Sequence, residues 1–114
     1  MKIVNTTRNT ILADNIQIAD NMFSRCKGLL GQKFLEKGSA LIIRPCNSIH
    51  MFFMRFSIDV IFLDKHSKVV GLVKNIRPFR LSPLFFYACQ AIELPAGTID
   101  VSSTELTDTI SFQS

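Results

Sequence analysis

Short stretches in which apolar and polar residues alternate, or in which apolar residues run together, recur along this chain, and both patterns are typical of β-strands. Residues 2–5 and 10–19 alternate, and the Asp14-Asn15 pair in the second stretch predicts the turn of an opening hairpin. Further strands are predicted where apolar residues lie between turn-forming ones, at residues 40–44, 49–54, 58–63, 69–76, 90–94 and 109–113. The pattern therefore predicts a mainly β fold.

One segment has the period of an α-helix instead. Apolar residues recur there at i, i+4, i+7 and i+8, namely at Met22, Cys26, Leu29 and Leu30. Asp20 or Asn21 would cap the first turn, and Gly31 would end the helix. We therefore expect one short helix near residues 21–31.

The prolines and the length of the chain complete the predicted architecture. Pro78 and Pro83 bracket an aromatic-rich segment that continues to Tyr87, and we predict an irregular loop there. The 114 residues, of which 47% are apolar, suit one domain around one core. Many short strands with one helix favour an antiparallel β-sandwich or a distorted barrel, and we predict such a single domain over residues 1–114.

Composition also predicts a compartment. No apolar run approaches the roughly 20 residues that a membrane-spanning helix needs, and the first residues lack the long apolar stretch of a secretory signal. The three cysteines, Cys26, Cys46 and Cys89, are odd in number and far apart, as is typical of thiols in a reducing cytosol. We expect a cytoplasmic protein without a membrane partner, present as a monomer or a homodimer.

The basic residues lie in the first part of the chain. All 13 Lys and Arg fall in residues 1–80, which carry a net charge of +8, whereas residues 81–114 carry −4. Because the basic residues are scattered, we expect these regions to interleave in one domain. Basic and aromatic residues alternate between Lys74 and Arg80, so weak nucleic-acid binding through Lys74, Arg77, Phe79 and Arg80 stays as an alternative. Nucleic acid is not the expected partner, because no known nucleic-acid motif accompanies this loop.

Polar residues within an apolar stretch mark the candidate site. Residues 48–64 are mostly apolar, yet they include four side chains able to do chemistry, namely His50, Arg55, Asp59 and Asp64. A small protein seldom buries such groups without pairing or using them. In a strand over residues 58–63, Asp59 lies among apolar neighbours, so we expect it to be half buried and paired with Arg55 or Arg44. By the same reasoning, Glu93 is expected to pair with an arginine or a lysine.

Cys46 and His50 are the candidates for catalysis. They lie four residues apart, and an imidazole beside a thiol lowers the pKa of the thiol and carries its proton. Asp59 would orient His50 in such an arrangement. The cysteines and histidines lack the close pairs that are typical of zinc sites, so we predict no metal.

Three motifs carry a resemblance to a known family. They are RCKGLLGQ at residues 25–32, HMFFMRFSIDVIFLD at 50–64 and IELPAGT at 92–98. In this order and spacing they resemble the domain-of-unknown-function 192 family. The resemblance implies a compact, mainly β, jelly-roll-like fold with a short helix around Cys26, and it implies no established reaction. The chain departs from the family pattern at Phe53, where tryptophan is common, and at Thr107-Asp108, where a Gly-Asp turn is common.

These observations predict a small non-catalytic domain that binds a small molecule or a protein and needs no cofactor. Its cleft would lie between residues 46–59 and the loop at 77–87, with His50, Met54, Arg55, Asp59 and Arg44 as the binding residues. The alternative is a thiol-dependent acyl-transfer or hydrolytic enzyme that uses Cys46 and His50.

Overall fold

The computed structural model describes residues 1–19, 34–51 and 54–114, and over these residues the chain forms two β-sheets and one short helix. The strands are β1 (Lys2–Asn5), β2 (Thr10–Ala13), β3 (Asn15–Ala19), β4 (Ser39–Ile43), β5 (Ile58–Leu63), β6 (Val69–Ile76), β7 (Gln90–Pro95) and β8 (Ile110–Gln113), and the helix α1 spans Thr98–Val101. The predicted mainly β class is confirmed. The helix predicted near residues 21–31 lies outside the described residues.

The two sheets pack face to face as a sandwich. One has the strand order β2-β1-β8, and the other has the order β3-β4-β7-β5-β6. Side chains from both sheets meet in one buried cluster, which includes Ile3 and Leu12 from the smaller sheet and Ile61 and Leu94 from the larger one. The sandwich form of the prediction is therefore confirmed, with one parallel pair, β3 and β4, in an otherwise antiparallel arrangement.

The larger sheet is buried on both of its faces. Its inner face contacts the smaller sheet. Its outer face is covered by apolar side chains that follow β4 and β6 in the chain, namely Cys46, Ile49, Met51, Met54, Phe56, Phe85 and Ala88. All six residues of β5 are buried, which explains why every residue of this strand except Asp59 is apolar. Val60 and Phe62 belong to the outer face and Ile61 to the inner face, as the predicted alternation required.

The predicted hairpin around Asp14-Asn15 is wrong. β2 pairs with β1, whereas β3 pairs with β4 in the other sheet, so the chain crosses between sheets at Asp14. The backbone N–H groups of Asp14 and Asn15 both donate to the carbonyl oxygen of Gly38, at 2.9 and 3.0 Å. A contact with a residue 24 positions away thus replaces the local turn, and no nearby residue signals it.

The strand predicted over residues 49–54 does not form at the four described residues of this segment, 49–51 and 54. In the described part of this segment, His50 forms only an isolated bridge with Leu81. Ile49, Met51 and Met54 are all buried in the outer-face cluster, and this spacing is not that of a strand. These three side chains cover the larger sheet, so contacts with that sheet decide that they point inward.

The remaining elements follow the prediction closely. β5 and β6 begin and end where the pattern placed them, and the segment from Pro78 to Pro83 is irregular as predicted. β7 continues one residue further to Pro95, which lies opposite Ile58 in the ladder. The short helix α1 was not predicted, because its four residues carry no helical period.

Candidate functional site

Two irregular segments pair with each other over the outer face of the larger sheet. Residues 47–51 run beside residues 79–85, and five hydrogen bonds join the two segments. Met51 accepts from Phe79 N–H at 2.7 Å and donates its own N–H to Arg80 O at 2.8 Å. Ser82 donates its N–H to Ile49 O and accepts from Ile49 N–H at Oγ, both at 2.8 Å, and Phe85 N–H donates to Asn47 O at 2.9 Å. The predicted cleft between these segments is therefore closed along this line. The two paired segments therefore present a continuous outer surface to solvent instead of a cleft.

Phe85 anchors this loop to the sheet. Its ring lies 4.6 Å from the ring of Phe62, centroid to centroid, and it covers Gly71 in β6. A Cβ atom on Gly71 would lie 2.6 Å from two ring carbons of Phe85, so only glycine leaves room for this contact. The loop is consequently held from both sides, by backbone hydrogen bonds and by one buried aromatic ring.

This contact gives a testable prediction. We expect Gly71→Ala to lower the free energy of unfolding by about 2 kcal/mol, because the added methyl group displaces the ring of Phe85. The measurement is chemical denaturation followed by circular dichroism.

A matched double variant tests the cause. The ring atoms that clash are Cγ, Cδ1 and Cε1 of Phe85, and Phe85→Ala removes all three. The loss caused by Gly71→Ala should therefore shrink when both changes are present. Additive losses in the double variant would contradict the prediction.

Apolar side chains on the loop point into solvent. Phe86 and Tyr87 are 82% and 84% exposed, and Phe79, Leu81 and Leu84 are between 51% and 66% exposed. Phe85, Phe86, Tyr87, Leu84 and Val70 enclose a shallow apolar pocket of about 210 Å³. Contiguous exposed apolar side chains on a soluble domain are typical of an interaction site.

Cationic side chains border these apolar residues. Arg55 and Arg77 leave the same end of the sheet, since Ile58 and Ile76 form the terminal pair of the β5–β6 ladder. Arg80 lies between the exposed Phe79 and Leu81, and all three arginines are exposed. We give the name aromatic–cationic surface to nine exposed residues in and beside these segments, namely His50, Arg55, Arg77, Phe79, Arg80, Leu81, Leu84, Phe86 and Tyr87.

The surface is free of acidic residues. No Asp or Glu occurs in residues 37–58 or in residues 65–92, which include both segments. Lys74 is not part of it, because Lys74 Nζ pairs with Asp100 Oδ1 at 2.7 Å. That ion pair removes one cation from the loop proposed above for nucleic-acid binding.

Three of the predicted binding residues, Met54, Arg44 and Asp59, lie away from this surface. Met54 is buried in the outer-face cluster. Arg44 donates through Nε to Gln90 Oε1 at 3.0 Å and lies over the ring of Phe112 at 5.7 Å. Only His50 and Arg55 of the predicted set reach the aromatic–cationic surface.

Asp59 is bound by backbone groups, and the ion pair predicted with Arg55 or Arg44 is wrong. Its side chain is 1% exposed and lies opposite Leu94 on the inner face. Three backbone N–H groups donate to its carboxylate: those of Asn75 to Oδ1 at 2.8 Å, and of Gly97 and Ile99 to Oδ2 at 3.1 and 2.9 Å. Asp59 therefore fastens the end of β6 to the turn before α1.

The candidate catalytic residues are not assembled as a triad. Cys46 packs against the outer-face cluster, whereas Asp59 is held on the inner face. The Sγ atom of Cys46 lies 3.1 Å from the carbonyl oxygen of Ser48, which is the contact of a neutral thiol donor.

Asp64 accepts from the N–H groups of Lys68 and His66 within its own turn, and the hydrogen bond from Lys68 lowers the pKa of Asp64.

The ion pair predicted between Glu93 and an arginine or a lysine does not form among the described residues. Glu93 lies in the middle of the larger sheet between Leu41 and Val60, it is 5% exposed, and no described cation or donor pairs with its carboxyl group. Burial raises the pKa of Glu93 from 4.5 to about 8.

Asp108 is a buried acid whose pKa is lowered instead. Burial by itself raises the pKa of Asp108, but hydrogen bonds from Arg8 and Asn5 lower it by more, so the net shift is downward.

Comparison with known proteins agrees with this architecture. The model of the domain-of-unknown-function 192 family, described as an uncharacterized ACR, matches residues 3–112. The chain belongs to that family. Archaeal relatives are UPF0127 proteins: one from Thermococcus sibiricus is 37% identical over 97% of this chain and 74% of its own length. Another, from Pyrococcus horikoshii, is 35% identical over 95% of this chain and 96% of its own length.

A solved structure shows the same fold. A protein of unknown function from Novosphingobium aromaticivorans superposes with a TM-score of 0.83 at 16% identity, over 97% of this chain and 82% of that one. The family and these relatives are described as uncharacterised or of unknown function, so they assign no activity, as the resemblance implied. Among the described residues, no helix is both long and apolar enough to span a bilayer.

Proposed function

We propose that this protein is a non-catalytic binding domain whose aromatic–cationic surface takes a protein segment with one bulky apolar side chain among acidic residues. The observation that supports this function is a set of exposed aromatic side chains on a fixed loop, interleaved with arginines that pair with no acidic residue in the described part of the chain. Exposed apolar area of this kind costs solubility unless a partner covers it.

Charge complementarity favours an acidic partner. Arg55, Arg77 and Arg80 are exposed, and no described acidic residue pairs with them. Arginine suits such a surface, because its planar guanidinium group binds carboxylates in a bidentate manner and stacks on aromatic rings. A partner with glutamate or aspartate side chains would neutralise this charge and associate faster at low salt.

The apolar pocket beside Phe86 favours an anchor side chain. Its volume of about 210 Å³ is too small for most cofactors, but it would hold one leucine-sized side chain. Val70 on β6 and the anchored Phe85 form fixed parts of its lining. A buried anchor surrounded by polar contacts is the usual arrangement of the residues that dominate protein–protein affinity.

The loop would bind without much ordering cost. Five hydrogen bonds to residues 47–51 and the Phe85 contact hold it in one conformation. A preorganised surface loses little conformational entropy on binding, so a short partner segment would suffice.

A defined peptide tests the proposal. We expect a fluorescein-labelled nine-residue peptide, with leucine at its centre and glutamate at the flanking positions, to bind in a fluorescence anisotropy titration. The double change Arg77→Glu with Arg80→Glu should weaken binding by about tenfold or more, and Phe86→Ser should do the same. The affinity should fall as salt is raised.

Matched controls separate the surface from general charge and hydrophobicity. Lys65→Glu and Leu106→Ser change an exposed cation and an exposed apolar residue elsewhere, and they should leave the affinity unchanged. Equal binding of a peptide with lysine in place of glutamate would refute the proposal. So would tighter binding to a mixed-sequence oligonucleotide or to vesicles of anionic lipid.

A further inference from the structure

A second pocket lies where the two sheets meet, away from the aromatic–cationic surface. It has a volume of about 360 Å³, in the range of small-molecule sites. Its lining comes from residues 11–14, from Lys37 and Gly38, and from residues 95–98 with Val101. It shares no residue with the aromatic–cationic surface, so it stands independently of the function proposed above.

The walls of this pocket are fixed by the backbone. The carbonyl of Gly38 is held by two N–H groups from Asp14 and Asn15, and Gly97 is held by the buried carboxylate of Asp59. Small side chains create the space, since a Cβ atom on Gly97 would meet nothing within 4 Å. The pocket therefore exists before any ligand binds.

Apolar residues make up most of the lining. Leu12 and Ala13 are buried at the end of β2, and Pro95 lies at the end of β7. Ile11 and Val101 are largely exposed beside them. An apolar ligand body would cover these side chains and gain hydrophobic stabilisation.

Two opposite charges flank Gly38 at the mouth of the pocket. Lys37 precedes Gly38 in the chain, and Asp14 Oδ1 lies 3.0 Å from the position that a Cβ atom on Gly38 would take. Within the described part of the chain, the two side chains do not pair with each other or with any other charged residue. A ligand with an amino group and a carboxylate close together would satisfy both.

We propose that this pocket binds an apolar α-amino acid, with its ammonium group at Asp14, its carboxylate at Lys37 and its side chain against Leu12 and Pro95. The ligand class follows from three features together: the two exposed charges that line the pocket beside Gly38, the apolar lining and the volume. Neither charge alone would select a zwitterion, and an apolar cavity alone would select only for size.

Three related probes test the head-group assignment. L-phenylalanine, 2-phenylethylamine and 3-phenylpropionate share a phenyl group and differ in which charges they carry. We expect L-phenylalanine to bind with a Kd on the order of 1 mM, followed by the amide chemical shifts of Gly38 and Gly97. Each analogue that lacks one charge should bind at least about tenfold more weakly.

Variants locate the binding. Asp14→Asn and Lys37→Met should each weaken L-phenylalanine binding by about tenfold, and Ala96→Phe should abolish it by filling the pocket. Lys65→Met is the control and should change nothing. Equal binding of the three probes would overturn the zwitterion assignment, and absence of binding by all three, or shifts that persist in Ala96→Phe, would overturn the site.

Discussion

At pH 8, the Glu93→Gln variant is expected to be about 4 kcal/mol more stable than the unsubstituted protein. Glu93 is buried between apolar strands without a described partner, and burial raises its pKa to about 8 from 4.5. The folded protein therefore holds a proton that the unfolded chain releases above about pH 4.5. Between pH 4.5 and about pH 8, the free energy of unfolding of the unsubstituted protein therefore falls as pH rises, because its folded state binds more protons than its unfolded state.

The pH profile distinguishes this cause from others. The stabilities of the two proteins should run parallel below about pH 4.5, should diverge between pH 4.5 and 8, and should differ by a nearly constant amount at higher pH. Urea denaturation at several pH values measures this divergence. Glu36→Gln, which removes an exposed carboxyl, should shift stability by less than about 0.5 kcal/mol at every pH. A Glu93→Gln profile parallel to that of Glu36→Gln would show that Glu93 ionises normally.

The second large effect is expected at Asp59. Asp59→Ala should lower the free energy of unfolding by about 3–5 kcal/mol, because it leaves three backbone N–H groups without an acceptor. Ile99 is fully buried, so water cannot readily replace the lost acceptor at its N–H group. For a domain whose total stability is about 5–15 kcal/mol, this loss is a large fraction.

Hydrogen exchange makes the prediction specific. The amides of Asn75, Gly97 and Ile99 should lose protection in Asp59→Ala, while amides of β1 keep theirs unless the whole domain unfolds. Asp100→Ala is the matched control, since Asp100 is an exposed acid nearby that pairs with Lys74 on the surface. It should cost less than about 1 kcal/mol. Equal losses in the two variants would contradict the assigned role of Asp59.

The candidate site was only partly predictable from the sequence. His50 and Arg55 stand out as polar residues in an apolar stretch, and both reach the proposed surface. The dominant part of that surface, Phe79 to Tyr87, was predicted as an irregular loop beside a cleft, but the sequence did not show which of its aromatic side chains are exposed. Its exposure depends on Phe85 alone turning inward, and this choice depends on Gly71 in a different strand. Nothing within the loop distinguishes Phe85 from its neighbour Phe86.

The partners of buried charges were predicted least well. Asp59 and Glu93 have similar surroundings in the sequence, each between two apolar residues, and an arginine or lysine partner was expected for both. Asp59 is satisfied by backbone N–H groups, which every residue except proline carries and which leave no trace in the side-chain pattern. Glu93 pairs with no described residue, because its position in the middle of the sheet surrounds it with other strands.

The sequence by itself determined the strands β5 and β6, the two-sided burial of β5, the family and the absence of acidic residues along the future surface. These depend on local periodicity, composition and motif order, which are properties of neighbouring residues. Only the tertiary structure decided that the chain crosses between sheets at Asp14, that the 47–51 and 79–85 segments pair, and that two opposite charges flank Gly38. Each of these results from contacts between residues distant in the chain, whose free energy depends on packing and backbone hydrogen bonds that a local pattern does not record.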